Sequence, residues 1–91
     1  MTRPSSDAAS AKSAIREKVL ELASRRGADA SSLGNAELLS DSGTLDSVGI
    51  LELITWFEMT FDLAIPQDDL TIENFGSVDA MAGYLQRVET D

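Results

Sequence analysis

The first part of the chain divides into a polar start and an amphipathic segment. Residues 1–10 are rich in Ser and Ala and show no apolar period, so we expect a disordered lead-in. From Ala11 to Arg26, apolar side chains recur with the period of an α-helix, and Gly27 ends the pattern. These apolar residues are Ile15, Val19, Leu22 and Ala23. The spacing predicts a first helix over 11–26 and a single folded domain over residues 11–91.

The same pattern predicts two further main helices and a short one. Asp46 or Ser47 can cap a second helix that runs to about Thr60. Its apolar stripe consists of Ile50, Ile54, Phe57 and Phe61. A short helix is predicted within residues 70–75, and Ser77 caps a last helix. The apolar stripe of that helix consists of Val78, Met81, Leu85 and Val88.

Residues 28–45 contain glycines and no regular period, yet they hold leucines that a solvated linker would not need. These are Leu33, Leu38, Leu39 and Leu45. We therefore expect a long loop packed over the core, and loops of this length are usually functional. The predicted fold is all-α. It is a small antiparallel four-helix bundle, with three main helices, one short helix and a long loop between the first two helices.

Composition excludes several classes of chemistry. The chain of 91 residues has no Cys and no His, which excludes disulfides, thiolate or imidazole metal sites, a Cys nucleophile and a His-activated serine. No apolar run approaches the roughly 18 residues that a membrane span needs, and the first residues lack the apolar centre of a secretory signal. We therefore expect a cytoplasmic protein, and a monomer.

Charge is unevenly distributed along the chain. Residues 1–26 hold six Lys or Arg and three Asp or Glu, whereas residues 27–91 hold thirteen carboxylates and the single cation Arg87. Such an acidic surface repels the phosphates of nucleic acids and anionic lipids, and it attracts basic partner proteins. High solubility is the simpler explanation of the same charge.

Ser47 stands where the polar loop meets the second helix, and it has two explanations. Its hydroxyl can cap the helix by accepting a hydrogen bond from a first-turn N–H, as Ser77 can for the last helix. Alternatively, the hydroxyl is presented to solvent for modification, near the positive end of the helix dipole. Ser47 is not itself a predicted nucleophile, because the chain has no His and no nearby Lys to activate it.

The carboxylates of the second helix suggest neither a hydrolase nor a metal site. Glu52 and Glu58 show no spacing that would pair them for acid and base catalysis, so a solvated face is the simpler interpretation. Asp41 and Glu52 bound a twelve-residue stretch, the length of a calcium-binding EF-hand loop. Gly43 and Leu45 occupy the third and fifth ligand positions of that loop, so we predict no metal site there.

The chain from about Leu38 to Leu85 contains an ordered set of short motifs, of which Leu45-Asp46-Ser47-Val48 is the most specific. This tetrapeptide is similar to the Asp-Ser-[Leu/Met/Val] attachment motif that opens the second helix in the family of acyl, peptidyl and aminoacyl carrier proteins. The Asp-Ser dipeptide alone is weak evidence, because Asp41-Ser42 also contains it. The other motifs follow in the family's order: Glu52-Leu53-Ile54, Phe61 to Pro66, Asp69-Leu70-Thr71 and Glu73-Asn74-Phe75-Gly76-Ser77.

The resemblance implies a carrier rather than an enzyme. Such proteins hold intermediates as thioesters on a covalent 4′-phosphopantetheine arm. Ser47 would receive the arm from coenzyme A through a phosphopantetheinyl transferase, and Asp46 would support that modification. The resemblance also implies docking to basic partners: the transferase, an acyl- or aminoacyl-activating ligase, and a downstream transferase or synthase. The docking residues it implies are Val48, Leu51, Glu52 and Glu58.

The motif departs from two common carrier types. Fatty-acid carriers usually have an acidic residue two places after the serine, where this chain has Gly49. Carriers of peptide synthetases usually have Gly-Gly-[His/Asp]-Ser, where this chain has Leu-Asp-Ser. Residues Gly43 to Gly49 are more similar to D-alanyl and other stand-alone aminoacyl carriers, which makes aminoacyl cargo an alternative to acyl cargo. Val48, Leu51, Ile54 and Ile72 either line a slot for an acyl chain or belong to the core.

Two other functions compete with the stand-alone biosynthetic carrier. One is an unmodified acidic helical adaptor that binds basic partner proteins, which the charge distribution alone would also support. The other is an enzyme that relies on carboxylates, which the missing base disfavours.

Overall fold

A computed structural model of the protein describes the backbone of residues 8–90 and the side chains of residues 10–88. The described residues form four α-helices and no strand: α1 (Ala8–Arg25), α2 (Ser47–Phe61), α3 (Ile72–Phe75) and α4 (Val78–Thr90). One turn of 3₁₀-helix, Gln67–Asp69, precedes α3. Helix α1 packs against α2 and α4, and α3 packs against α4. The predicted all-α bundle with three main helices and one short helix is confirmed.

Helix α1 is longer than the apolar pattern predicts. It begins at Ala8, so residues 8–10 belong to the helix and not to the expected lead-in. Residues 1–7 lie outside the described residues, and their disorder stays a prediction. At the other end Gly27 adopts φ +78°, a left-handed conformation that glycine accepts without steric cost. The N–H of Ala28 then donates to the carbonyl of Ala23 at 2.9 Å, which closes the helix end.

The core forms where the apolar stripes meet. All four stripe residues predicted for α1 are fully buried: Ile15, Val19, Leu22 and Ala23. Phe57 and Phe61 of α2 are also fully buried, with ring centroids 5.1 Å apart. Trp56 is partly buried against this core and meets Phe61 edge to face at 5.8 Å. Trp56 therefore belongs to the edge of the core.

Aromatic contacts continue from α2 into the last two helices. The ring centroid of Phe57 lies 5.7 Å from that of Phe75 in α3, and Phe75 lies 4.9 Å from Tyr84 in α4. The Tyr84 hydroxyl donates to Asp69 Oδ2 at 2.8 Å, which ties the connection between α2 and α3 to α4. Burial and this hydrogen bond raise the pKa of Tyr84 to about 12.

The long loop over residues 27–46 is fixed at several points. Leu33, Leu39 and Leu45 are buried, as their presence in a polar segment predicts. The N–H of Leu39 donates to the carbonyl of Gly76 at 2.8 Å, and the Leu39 carbonyl accepts from the N–H of Leu45 at 3.3 Å. The Asn35 carbonyl accepts from the N–H of Asp79 in α4 at 2.9 Å. The loop therefore delivers the chain to the start of α2 in a defined position.

None of the helices described here is both long enough and apolar enough to span a bilayer.

Candidate functional site

The start of α2 separates the roles of its two polar residues. Asp46 is the N-cap: its backbone is extended, with φ −88° and ψ −175°, and its Oδ1 accepts from the N–H of Gly49 at 2.9 Å. Ser47 is the first residue of the helix and is exposed. Within residues 8–90, its hydroxyl makes no hydrogen bond. Asp46 therefore performs the capping that either residue could have supplied, and the Ser47 hydroxyl remains available.

Burial of the preceding leucine explains why these two residues face solvent. Leu45 is buried, and its N–H is bonded to the Leu39 carbonyl, so the end of the loop is anchored just before the cap. Gly49, one turn into the helix, is also buried against Leu45. Asp46 and Ser47 lie between these two buried points and are exposed.

The other Asp-Ser pair in the chain has a different environment. The Ser42 hydroxyl lies 3.2 Å from the Leu39 carbonyl, to which it can donate, and 2.7 Å from Thr44 Oγ1. It is therefore committed to the fold of the loop. The structure distinguishes Ser47 from Ser42, which the dipeptide alone does not.

Arg26, the cation that directly follows α1, reaches the start of α2. The guanidinium of Arg26 donates from Nη2 to Glu52 Oε1 at 2.9 Å, and its Nε lies 3.5 Å from Asp46 Oδ1. The hydrogen bond from Arg26 lowers the pKa of Glu52, whereas the pKa of Asp46 is lowered first by the Gly49 N–H and then by the charge of Arg26. The sequence alone does not indicate that Arg26 belongs to the site, because no local pattern links it to Asp46 and Glu52, which lie 20 and 26 positions further along the chain.

The docking residues predicted on α2 fall into two groups. Val48 and Leu51 are 58% and 62% exposed and lie within the first two turns, as does Glu52. Glu58 lies near the other end of the helix, and its Oε2 accepts from the N–H of Ile65 at 2.8 Å. The structure thus brings three of the four predicted residues near Ser47 and gives Glu58 an internal contact, so docking by Glu58 stays a prediction.

Apolar residues considered for an acyl slot are mostly on the surface. Val48, Leu51 and Ile72 are exposed, and Ile54 is partly buried against the core. These three exposed side chains therefore do not belong to the core. Among the described residues, no three His, Cys, Asp or Glu side chains are placed to hold a metal ion.

Comparison with known proteins identifies the family. The family model described as "Phosphopantetheine attachment site" matches residues 13–85, most of the chain. The chain belongs to this family. It is a carrier protein rather than an enzyme, and its cofactor is a covalently attached 4′-phosphopantetheine.

A curated relative supports the same family. Aminoacyl carrier protein 2 of Bradyrhizobium diazoefficiens is 51% identical over 37 residues, which is 41% of this chain and 42% of the relative. The carrier protein thus aligns with less than half the length of that relative. No solved structure matches the chain.

The start of α2 fits the phosphate of the cofactor. An exposed hydroxyl with no competing hydrogen bond among residues 8–90 lies on the first residue of a 15-residue helix. The N–H groups of Gly49 and Ile50 are bonded to Asp46, whereas those of Ser47 and Val48 have no acceptor in the described part of the protein. Free first-turn N–H groups and the helix dipole both favour an anion at this point.

Proposed function

We propose that the carrier protein holds acyl or aminoacyl intermediates as thioesters on a 4′-phosphopantetheine arm attached to Ser47, and delivers them between biosynthetic enzymes. The observation that carries the proposal is the division of roles at the start of α2. Because Asp46 caps the helix, modification of the Ser47 hydroxyl sacrifices no hydrogen bond among the described residues.

Attachment requires a partner enzyme. The Ser47 oxygen would form a bond to the phosphorus next to the pantetheine of coenzyme A, the diphosphate bond would break, and adenosine bisphosphate would leave. The hydroxyl proton must pass to a base of a phosphopantetheinyl transferase, because the chain has no His. The bound arm then supplies the thiol on which cargo is held. In this reaction Asp46 keeps the first turn, and with it the serine, in one geometry.

The exposed start of α2 is the proposed docking surface for partners. Val48 and Leu51 supply apolar area, and the carboxylates of Asp46 and Glu52 supply charge that complements basic enzymes. The proposed partners are the transferase, an acyl- or aminoacyl-activating ligase, and a downstream transferase or synthase.

Aminoacyl cargo has the stronger support. The relative from Bradyrhizobium diazoefficiens is named an aminoacyl carrier protein, and the Gly43–Gly49 motif is similar to that of stand-alone aminoacyl carriers. We therefore propose that an amino acid is loaded on the arm by an activating ligase. Offering the modified protein to amino-acid ligases and fatty-acyl ligases, and weighing the product, tests this. Loading by fatty-acyl ligases alone would contradict aminoacyl cargo.

Mass spectrometry tests the attachment site. The wild-type protein, incubated with coenzyme A and a promiscuous phosphopantetheinyl transferase, is expected to gain one phosphopantetheinyl group on the peptide that contains Ser47. Ser47→Ala is expected to gain nothing. Ser42→Ala is the matched control, because it removes the hydroxyl of the other Asp-Ser pair, and it should be modified like wild type.

Two results would overturn the proposal. A mass gain that persists in Ser47→Ala would move the attachment site elsewhere. The absence of any gain in folded wild-type protein would favour the unmodified acidic adaptor.

A further inference from the structure

Arg26, the first residue after α1, reaches the acidic residues at the start of α2. The described cations of α1 itself are engaged elsewhere: Lys12 pairs with Asp79, Arg16 bonds to Asn35, and Lys18 and Arg25 both pair with Glu21. The Arg26 guanidinium instead lies within 3.5 Å of Asp46 and 2.9 Å of Glu52. Arg26 is therefore positioned to change how strongly these carboxylates attract a charged partner.

Gly49 provides the space for this contact. A Cβ atom at position 49 would lie 3.4 Å from the Arg26 Cζ atom and 3.1 Å from Leu45 Cδ2. Glycine inside a helix destabilises it relative to alanine, so a glycine here indicates a packing reason. The absence of a side chain at Gly49 lets the guanidinium approach the first turn of α2 closely.

The three side chains of this ion-pair cluster differ in their exposure to solvent. The Arg26 side chain is 27% exposed, whereas the side chains of Asp46 and Glu52 are 67% and 44% exposed. The carboxylates thus form the outer layer that a partner meets, and the guanidinium lies beneath them. Glu52 Oε2 receives no hydrogen bond from the described residues, so a partner can still bind it.

We infer that Arg26 is a specificity-determining residue, a built-in counter-ion that weakens docking of cationic partners beside Ser47; this inference rests on the proposed modification of that serine. A Lys or Arg of the transferase that approaches Asp46 or Glu52 also approaches the guanidinium, and like charges repel. The docking surface therefore accepts a basic enzyme only when further contacts, such as those to Val48 and Leu51, add to the charge attraction.

The contact between Arg26 and Glu52 also has an effect that favours docking. Arg26 holds Glu52 in one orientation, and a freed Glu52 would have to be ordered again on docking. Asp46 stays fixed by the Gly49 N–H in either case. Repulsion acts on every approaching cation, whereas the ordering effect concerns one side chain, so we expect repulsion to dominate.

Steady-state kinetics of the transferase test the inference. The substrates are the unmodified carrier protein and coenzyme A, and KM for the carrier and kcat are measured across a range of NaCl concentrations. In Arg26→Gln we expect KM to fall about threefold at low salt with kcat unchanged, the order expected for removing one exposed charge. The difference should vanish near 1 M salt, where the Debye length is about 3 Å.

Two variants separate charge from structure. Arg26→Lys keeps the charge but loses the planar fork, so its KM should stay near wild type. Arg25→Gln removes the same charge one residue earlier, from a pair with Glu21 within α1. Arg25 acts on Glu52 through its charge alone and less than Arg26 does, so KM should fall less than in Arg26→Gln. Thermal melts of each variant check that the fold persists.

A double-mutant cycle gives a second measure. Glu52→Gln should raise KM by a larger factor in the Arg26→Gln background than in wild type, because Glu52 is then no longer neutralised. An unchanged or raised KM in Arg26→Gln, or an equal decrease in Arg25→Gln, would overturn the inference while leaving the proposed function intact. Failure of the transferase to modify folded wild-type protein would overturn both.

Discussion

Two helices of this carrier protein begin beside a serine, and the two serines differ in their hydrogen bonding. Ser77 is buried, and its Oγ accepts from the N–H of Ala80 at 3.1 Å, so it is the N-cap of α4. Ser47 is exposed and lies one position further along, with Asp46 as the cap of α2. A shift of one residue relative to the cap thus separates a serine whose hydroxyl stabilises a helix from one whose hydroxyl makes no hydrogen bond among the described residues, as the proposed attachment site requires.

The two helix starts are also anchored differently. The residue before the α2 cap is Leu45, whose side chain is buried. The residue before the α4 cap is Gly76, whose backbone carbonyl accepts from the N–H of Leu39 at 2.8 Å. One start is therefore held by a side chain in the core and the other by close backbone contact. Substitutions at these positions should reveal that difference.

The largest effect is expected at Leu45. Leu45→Ala should lower the free energy of unfolding by about 3 kcal/mol, because it removes a buried side chain and leaves a cavity beneath the cap. Urea denaturation measures this. Leu51→Ala is the matched control, since Leu51 is an exposed leucine within α2, and it should change the free energy of unfolding by less than about 0.5 kcal/mol. Equal losses in the two variants would mean that Leu45 does not anchor the start of α2.

The next effect is expected at Gly76. A Cβ atom there would lie 2.5 Å from the Ile72 carbonyl oxygen, so the backbone would have to move. Gly76→Ala should lower the free energy of unfolding by about 2 kcal/mol, although its φ of −78° suits any residue. Gly83→Ala, in the middle of α4, meets only the end of Arg87 at 3.8 Å and should instead stabilise the protein by about 0.5 kcal/mol. A stabilising Gly76→Ala would refute the close approach of Gly76 to the Ile72 carbonyl.

A smaller effect distinguishes the two serines directly. Ser77→Ala should lower the free energy of unfolding by about 1 kcal/mol, because the Ala80 N–H loses its acceptor. Ser47→Ala should change it by less than about 0.5 kcal/mol, because its hydroxyl has no partner among residues 8–90. Equal destabilisation by both substitutions would mean that Ser47 also contributes to capping.

Local pattern predicted most of the fold for a physical reason. Helical period, caps and glycine stops act over a few residues, so the stripe of α1 and the Ser77 cap of α4 could be read directly from the sequence. The buried leucines of the long loop could be predicted as well, because apolar residues in a polar segment need a core to cover them. The α1 start was missed, since Ala8–Ser10 carry no apolar period.

The features that the sequence could not predict depend on contacts between segments that are far apart in the chain. Either Asp46 or Ser47 could cap α2, and the position of Leu45 in the core decides between them. The pairing of Arg26 with Glu52 spans 26 residues, and the bond from Ile65 to Glu58 depends on how the chain turns after α2. Such contacts follow from the assembled fold rather than from spacing within one segment.

The smallest expected effect concerns charge at the two helix starts, because each receives a cation. Arg26, which follows α1, pairs at the start of α2, and Lys12 of α1 pairs with Asp79 at 2.8 Å at the start of α4. Arg26→Gln should raise the pKa of Glu52 towards its ordinary value, since the hydrogen bond from Arg26 is the largest cause of its decrease. The pKa of Asp46 should rise less, since the Gly49 N–H remains.

Carboxyl ¹³C shifts recorded against pH measure both pKa values in the wild type and in Arg26→Gln, with Lys12→Gln as a control that should move neither. The lowered pKa also has a consequence for stability. Ionised Glu52 stabilises the fold above its ordinary pKa of 4.5, and this contribution is lost as the pH falls through the lower folded-state pKa. In Arg26→Gln that loss should therefore shrink. Equal pKa changes at Asp46 and Glu52 would mean that the Arg26 guanidinium, rather than the cap, controls the pKa of both carboxylates. The start of α2 would then resemble an ion-pair cluster more than a capped helix with a counter-ion.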